Sequence, residues 1–428
     1  MTLVDLQYDL TVVIPIVNEP GNLAELLPQI HAALIPISMT YEIIVAGRPV
    51  DEKTRQMAQD HQTSVLSPSS DGYGAALLAG IQRAAGNFII VMDADQVQPA
   101  SFLRALWEAR NTADVIIASR YTAGGRARMS LLRLALSKAL NIIFSRGLDL
   151  RVRDMSSGFR LYKARILKKI AAESKDYDIL QEILVKALME GYQIREIPFE
   201  YRSRGNESVF ARVFRFGWAY LKTFARLWRI RNSIASADYD ARAYDALMPP
   251  QRYWQRQRYK HITRLLVGQG KCLDVGCGSS RIIGALPPGS VAVDILMRKL
   301  RYARRFGRPR IQVSIFNLPV GDGTFPCVIC SQVIEHIPRA NALNELDRVL
   351  QPGGFLILGT PDYAKWQWLT IEWLYKILLP QAYADEHITH YTYNELFDEF
   401  VTKRGYQLQA THYILQGELI LGLRKPTH

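Results

Sequence analysis

Asp93 and Asp95 stand one residue apart in the stretch IIVMDADQVQP, directly after the apolar run Ile89 to Met92. A run of that kind reads as a buried strand, and in an open α/β sheet ligands bind outside the carboxyl ends of the strands. Two carboxylates leaving a sheet at that point suit a divalent cation, which takes oxygen ligands and would hold the phosphates of a substrate. The plainer alternative is a pair of turn or N-cap aspartates before the helix that starts near Ala100.

Other residues of chemical interest fall into four groups. Asp154, Ser157 and Arg160 lie close together just before a helical pattern, and the planar fork of an arginine matches phosphate. The strand-like IREIPFEY is followed by Arg202 and Arg204. Further on, KCLDVGCG carries Asp274, Gly276 and Gly278, and SVAVDI ends a second strand at Asp294. Glycines there let the backbone approach a ligand, and an acidic residue about twenty positions later suits a ribose diol. A dinucleotide site is the competing reading, but only two of its three glycines are present. His336, His387 and His390 could serve as bases toward a hydroxyl. Cys327 and Cys330 have the spacing of half a zinc site, yet no second pair follows. On a strand, residues three apart point to opposite faces.

These groups need elements to position them. The chain has 428 residues, enough for two or three domains, with 48% hydrophobic and 22% charged residues. A net charge of +13 points to anionic partners: nucleic acid, nucleotide phosphates or an anionic membrane. Four cysteines exclude a disulfide scaffold, and the sequence reads as cytoplasmic. No apolar run approaches the ~20 residues that span a bilayer. Strands at Leu10–Val17, Tyr41–Ala46, Ile89–Met92 and Val115–Ala118 alternate with helical patterns, so a parallel sheet with crossovers is expected. Phe210 to Arg231 is a basic helix with Phe214, Trp218, Leu221, Ala225 and Trp228 at helical spacing. Such a helix either lies in a membrane interface or packs on the sheet. Polar Ser233 to Ala243 marks a boundary, giving domains at 1–232 and 251–428 and a linker at 233–250.

The motifs PIVNE (15–19), DGYGAALLAGIQRAAG (71–86), MDADQVQP (92–99), ASRYTAGG (118–125) and RDMSSGFRLYKARIL (153–167) occur in this order. With them the first half resembles a family 2 glycosyltransferase of the GT-A fold, of the dolichol-phosphate-mannose-synthase-like branch. The resemblance implies sugar transfer from a nucleotide-sugar to a polyprenyl phosphate, with Mg2+ or Mn2+ on Asp93 and Asp95. It implies Pro15, Glu19, Asp71 and Gly74 near the nucleotide. Asp154, Ser157 and Arg160 would line the acceptor and sugar pocket, and Arg120, Arg202 and Arg204 would hold the anions. A phosphate acceptor is ionised at neutral pH and needs no strong base; a hydroxyl acceptor would need one, with Asp154 the candidate. The sequence departs from the branch at Val17, Gly47-Arg48, Val97 and Val209.

The glycine motif, SVAVDI, NLPVGDGTFPCVICSQVIEHI (317–337) and LQPGGFLILGTP (350–361) resemble a class I methyltransferase with a Rossmann-like fold and S-adenosyl-L-methionine as cofactor. That resemblance implies Asp274, Gly276 and Gly278 around the methionine part, Asp294 on the ribose, and Ile315 and Asn317 beside the adenine. WQWLTIEWLYKILLP (366–380) reads as a lid or as core. The expectation is a fusion of two enzymes, one transferring sugar to a lipid phosphate or glycan acceptor at the inner face of the membrane and one methylating an acceptor. In one alternative only the methyltransferase turns over and the first half is a binding module. In the other the chain is a nucleic-acid methyltransferase, although no nucleic-acid partner is expected.

Overall fold

The computed structural model describes residues 7–16, 23–94, 98–202, 209–246, 249–339, 341–378 and 387–427, with backbone alone for 209–219 and 375–378. The chain divides into two compact units, one of residues 1–188 and 192–231 and one of residues 189–191 and 232–428.

In the first unit the strands are β1 (Tyr8–Ile16), β2 (Tyr41–Gly47), β3 (Ser64–Leu66), β4 (Gly86–Val91), β5 (Val115–Ser119), β6 (Arg126–Arg128), β7 (Arg160–Lys163), β8 (Ile194–Pro198) and β9 (Glu200–Arg202). Seven of them form one sheet in the order β3-β2-β1-β4-β7-β5-β8, while β6 pairs with β9. All neighbours in the large sheet are parallel except β7, which runs antiparallel to both β4 and β5. Its first residue, Arg160, pairs with Val91 and Ile117, near the ends of those strands. The loop before β7 therefore lies at the sheet edge where β4 ends. Strand order reverses about β1, which puts a crevice beside β4 at its carboxyl end. Val12, Ile14, Ile43, Val45, Ile90 and their neighbours form the core beneath. The helix Leu23–Leu34 covers them with Leu23, Leu26, Leu27, Ile30 and Leu34, a run at helical period.

The second unit holds β10 (Cys272–Val275), β11 (Val291–Asp294), β12 (Arg310–Gln312), β13 (Phe325–Ser331), β14 (Leu350–Pro361), β15 (Gln407–Ile414) and β16 (Glu418–Arg424). Their order is β12-β11-β10-β13-β14-β16-β15, parallel up to β14 and antiparallel at the last two. The switch point lies between β10 and β13. Cys327 and Cys330 on β13 belong to separate cores on the two faces of the sheet, as the strand period requires.

Residues 233–250 are not a free linker. They contain the helix Tyr239–Tyr244 and belong to the second unit. Asp240 secures the segment, accepting hydrogen bonds from Ser279 N, Ser279 Oγ and Lys299 Nζ, each at 2.9 Å. A polar composition does not reveal a partner forty residues away.

Candidate active sites

In the first unit, β4 delivers Asp93 to the crevice, partly exposed. Oδ1 accepts from the Tyr73 hydroxyl at 2.9 Å and Oδ2 from Gln98 Nε2 at 2.6 Å, while Gln98 Oε1 accepts from the Asp93 N–H. Burial, and after it the Asp93 carboxylate, push the Tyr73 phenol well above its ordinary range, so it remains a donor. Tyr177 stacks on Tyr73 at 4.4 Å between centroids. A Cβ at Gly158 would lie 3.0 Å from Asp93 Oδ2 and 3.1 Å from Tyr73 Oη, so glycine leaves the space in front of the carboxylate. Those surroundings fit an oxygen-seeking divalent cation. Asp95 and Glu19 lie outside the described residues, as does Arg204.

The loop 153–159 continues away from Asp93. Glu196 on β8 holds it by accepting from the Arg153 and Asp154 N–H groups at 3.0 and 2.9 Å, and Asn141 accepts from Met155 N at 2.6 Å. Asp154 is fully buried and forks with Arg120 through Oδ1 at 2.6 Å and Oδ2 at 2.8 Å. Burial raises its carboxyl, but the charge and hydrogen bonds of Arg120 outweigh this and hold it below the usual carboxylate range. Asp154 is thus an anchor for Arg120 and a poor base, a correction to its expected catalytic role. Ser157 is buried, and its N–H donates to Asp154 Oδ1 at 3.1 Å. Arg120 lines a groove of about 710 Å³ together with Lys138, Arg151 and Arg153.

Arg160 also departs from expectation. Its side chain is fully buried, with Nη1 donating to Leu180 O at 2.7 Å and Nη2 to Met155 O at 2.8 Å. Because β7 enters the middle of the sheet, its first side chain ties backbone together and presents no face to an anion. At Gly74 a Cβ would meet Ser174 O at 2.4 Å, so the close approach that glycine permits there is to the chain itself. Pro15 is buried near the end of β1, opposite Ala46. Asp71 is exposed and pairs with Arg48 at 3.6 Å; Arg202, also exposed, bonds Glu200 at 3.1 Å.

In the second unit Gly276 and Gly278 adopt φ of +67° and +56°, which only glycine takes without strain, and a Cβ at Gly276 would overlap Val333. Asp294 accepts from Gly278 N at 2.8 Å and Leu296 N at 2.7 Å. Burial raises the Asp294 carboxyl; burial and then the charge of Asp294 push Asp274 up to about 7. Two buried carboxyls side by side would be relieved by a cationic ligand, so the residues fit a group carrying an ammonium or sulfonium. Asn317 is exposed, whereas the Ile315 side chain is buried in the core and offers a ligand only its backbone.

His336 and His387 come together with ring centroids 4.8 Å apart, and His390 stacks on Tyr363 at 4.0 Å. Glu335, fully buried beside them, was missed; the sequence signal was its place directly before His336. Tyr73 and Gln98 were missed as partners of Asp93, although both fall inside motifs. In the described part of the segment 366–380 Trp368 is buried, while Trp366, Leu369 and Trp373 are exposed.

Residues 11–171 match the family described as Glycosyl transferase family 2, and residues 273–358 match Methyltransferase domain. The chain is 29% identical over 236 residues to a dolichol-phosphate mannosyltransferase of Pyrococcus furiosus, covering 52% of this chain and 65% of that protein, so it spans just under two thirds of that relative's length. It is 30% identical over 208 residues to a polyprenol monophosphomannose synthase of Mycolicibacterium smegmatis, covering 45% of this chain and 77% of the relative. Among solved structures, glucosyl-3-phosphoglycerate synthase of Mycobacterium tuberculosis aligns at 16% identity and a TM-score of 0.43, over 52% of this chain and 80% of that one. The chain belongs to glycosyltransferase family 2, in its dolichol-phosphate-mannose-synthase-like branch with a GT-A fold, and carries a methyltransferase domain in its second half.

Proposed function

We propose that the first unit transfers a sugar from a nucleotide-sugar to a polyprenyl phosphate or related lipid phosphate, and that the second methylates a glycan or glycolipid acceptor with S-adenosyl-L-methionine. The observation that carries the choice of acceptor is the Arg120–Asp154 pair. The residue best placed by sequence to deprotonate a hydroxyl is locked against a guanidinium. An acceptor that arrives already ionised removes the need for it, and a phosphate monoester does so at neutral pH.

Asp93 is the described residue that would hold Mg2+ or Mn2+, and the ion's contribution is to neutralise the leaving diphosphate. Tyr73 and Gln98 fix the orientation of that carboxylate. Lys138, Arg151 and Arg153, beside the Arg120–Asp154 pair, give the groove the charge to hold a second anion. The helix Leu131–Gly147, which contributes Lys138 to the groove, exposes Leu131 (84%), Ile142 and Ile143, and the helix Val209–Arg231 of the same unit exposes Leu221, Ala225 and Trp228 beside Lys222 and Arg229. Exposed apolar side chains among cations suit an anionic bilayer surface. Arg226 and Arg231 do not contribute, since they bond Glu173 and Leu148 O. Among the described residues no helix is long and apolar enough to cross a membrane.

In the second unit the glycine loop and the acidic pair Asp274 and Asp294 would receive the cofactor, whose contribution is an electrophilic methyl group. Carrying both activities on one chain raises the effective concentration of one product at the next site. The test is release of nucleoside diphosphate from a panel of nucleotide-sugars with a polyprenyl phosphate and manganese. Release that disappears in Asp93→Ala is expected. Absence of release would leave the methyltransferase as the only enzyme, and release that survives the substitution would remove Asp93 from the proposed metal site.

A further inference from the structure

Glu335, His336 and His387 offer a carboxylate oxygen and two imidazole nitrogens that all lie within 4.8 Å of one another. Glu335 is fully buried; its Oε2 accepts from Thr360 Oγ1 at 3.2 Å, and its Oε1 has no hydrogen-bond partner. Buried carboxylate oxygens without partners are rare and costly. Were the cluster merely a hydrogen-bonded group, an imidazole N–H would reach that oxygen, and none does.

The three side chains are held together by backbone. The Glu335 carbonyl accepts from Ile388 N at 2.8 Å and Thr389 N at 3.0 Å, and Thr389 Oγ1 donates to Ile337 O at 2.6 Å. His387 is therefore anchored to the turn that carries Glu335 and His336. Tyr363 Oη lies 2.5 Å from His387 Nδ1, and Trp368 stacks on the same ring. Metal-bound imidazoles are oriented by partners of this type. The cluster follows β13, and Val333, two residues earlier, packs against Gly276 of the glycine loop.

We propose that Glu335, His336 and His387 form a divalent cation site of the zinc-like, borderline class in the methyltransferase domain. Two imidazoles and one carboxylate select such ions over magnesium or calcium. With bond lengths near 2.1 Å, ligands on one tetrahedral ion stand about 3.4 Å apart, a contraction within reach of side-chain rotation. Three protein ligands leave a position open for an acceptor oxygen. That role rests on the methyl-transfer reading; the site itself does not. In it, the acceptor hydroxyl bound to the cation loses its proton to solvent and its oxygen attacks the methyl carbon. The carbon–oxygen bond forms as the carbon–sulfur bond breaks, and the electron pair of the latter stays on sulfur as a neutral thioether.

The experiment uses the full chain carrying Asp93→Ala, which removes the other candidate ion. After chelation the protein is equilibrated with cobalt(II), dialysed, and its cobalt counted by mass spectrometry beside its visible spectrum. One equivalent is expected, displaced by zinc. It should fall to none when His336→Gln or His387→Gln is added, with circular-dichroism melts showing that the chain remains folded, and stay at one with His390→Gln. Cobalt retained equally by the His336 and His387 variants, or not held by the folded Asp93→Ala chain at all, would overturn the site. Cobalt held by a chain that shows no S-adenosylmethionine binding supports the site and sinks the methyl-transfer reading instead.

Discussion

If the second unit binds S-adenosylmethionine as proposed, Asp274 should make that binding depend on pH. Its side chain is 5% exposed, and burial together with the Asp294 charge raises its carboxyl to about 7. On the proposed methyl-transfer reading S-adenosylmethionine brings positive charge, so it would bind the ionised form of Asp274 and would have to expel a proton from the other. With a free-state pKa of about 7, roughly one molecule in eleven is ionised at pH 6 and ten in eleven at pH 8. Affinity should therefore be about tenfold weaker at pH 6 than at pH 8, a difference of about 1.4 kcal/mol. The same shift acts on the unliganded fold. A carboxyl whose folded value lies above its unfolded one favours folding most when protonated, so this contribution is lost as pH rises from about 4 through about 7. Calorimetric titration of the full chain with S-adenosylmethionine at pH 6, 7 and 8 measures the first effect. Asp274→Asn should bind with little pH dependence, which separates Asp274 from Glu335, whose carboxyl burial pushes up to about 8. Equal affinities across the range, or the same slope in the Asn variant, would refute the assignment.

Gly158→Ala places a Cβ against Asp93 and Tyr73, so nucleoside diphosphate release should drop by about ten- to a hundredfold with the melting temperature nearly unchanged; undiminished release would contradict it. Arg120→Ala leaves Asp154 buried without its counter-ion, and urea unfolding should report a loss of about 3–5 kcal/mol, partly recovered in Arg120→Ala/Asp154→Ala. A loss below about 1 kcal/mol would mean that the pair is solvated. Leu221→Glu with Trp228→Glu should reduce co-sedimentation with vesicles containing anionic lipid, whereas unchanged sedimentation would remove these helices from the membrane surface.

Strand periodicity and motif order were enough to deliver Asp93 to a sheet edge and to place the glycine loop of the second unit after its first strand. The apolar run Phe325 to Val333 reads as a strand, and Cys327 and Cys330, three apart on it, occupy opposite faces. What escaped were partners far apart in sequence. Gly74 has the look of a phosphate-approach glycine, but the atom it admits is Ser174 O, a hundred residues on. Arg160 sits inside a motif that names phosphate chemistry, yet its place as first residue of an antiparallel strand turns it toward Leu180 and Met155 carbonyls. Position in a motif puts Ile315 beside the adenine but says nothing about which way its side chain points, and that side chain lies in the core. Asp240 looked like one more polar residue in a connecting stretch until the contact with Ser279 and Lys299 was visible. Glu335 could not be distinguished by residue type from any surface glutamate. Its burial is a property of the sheet around it.

One consequence of the reversed strand β7 concerns tolerance to change. The chain leaves the large sheet after Ser119, the end of β5, and re-enters beside that strand at Arg160, which pairs with Ile117. Much of the detour between them, including the helix Leu131–Gly147, hangs from two fixed points on a single rim. Outside β6, which pairs with β9, such a loop-out can lengthen, shorten or be exchanged without shifting the register of the large sheet, while Asp93 stays where it is. Acceptor preference and donor handling would thus be free to evolve at different speeds within one domain.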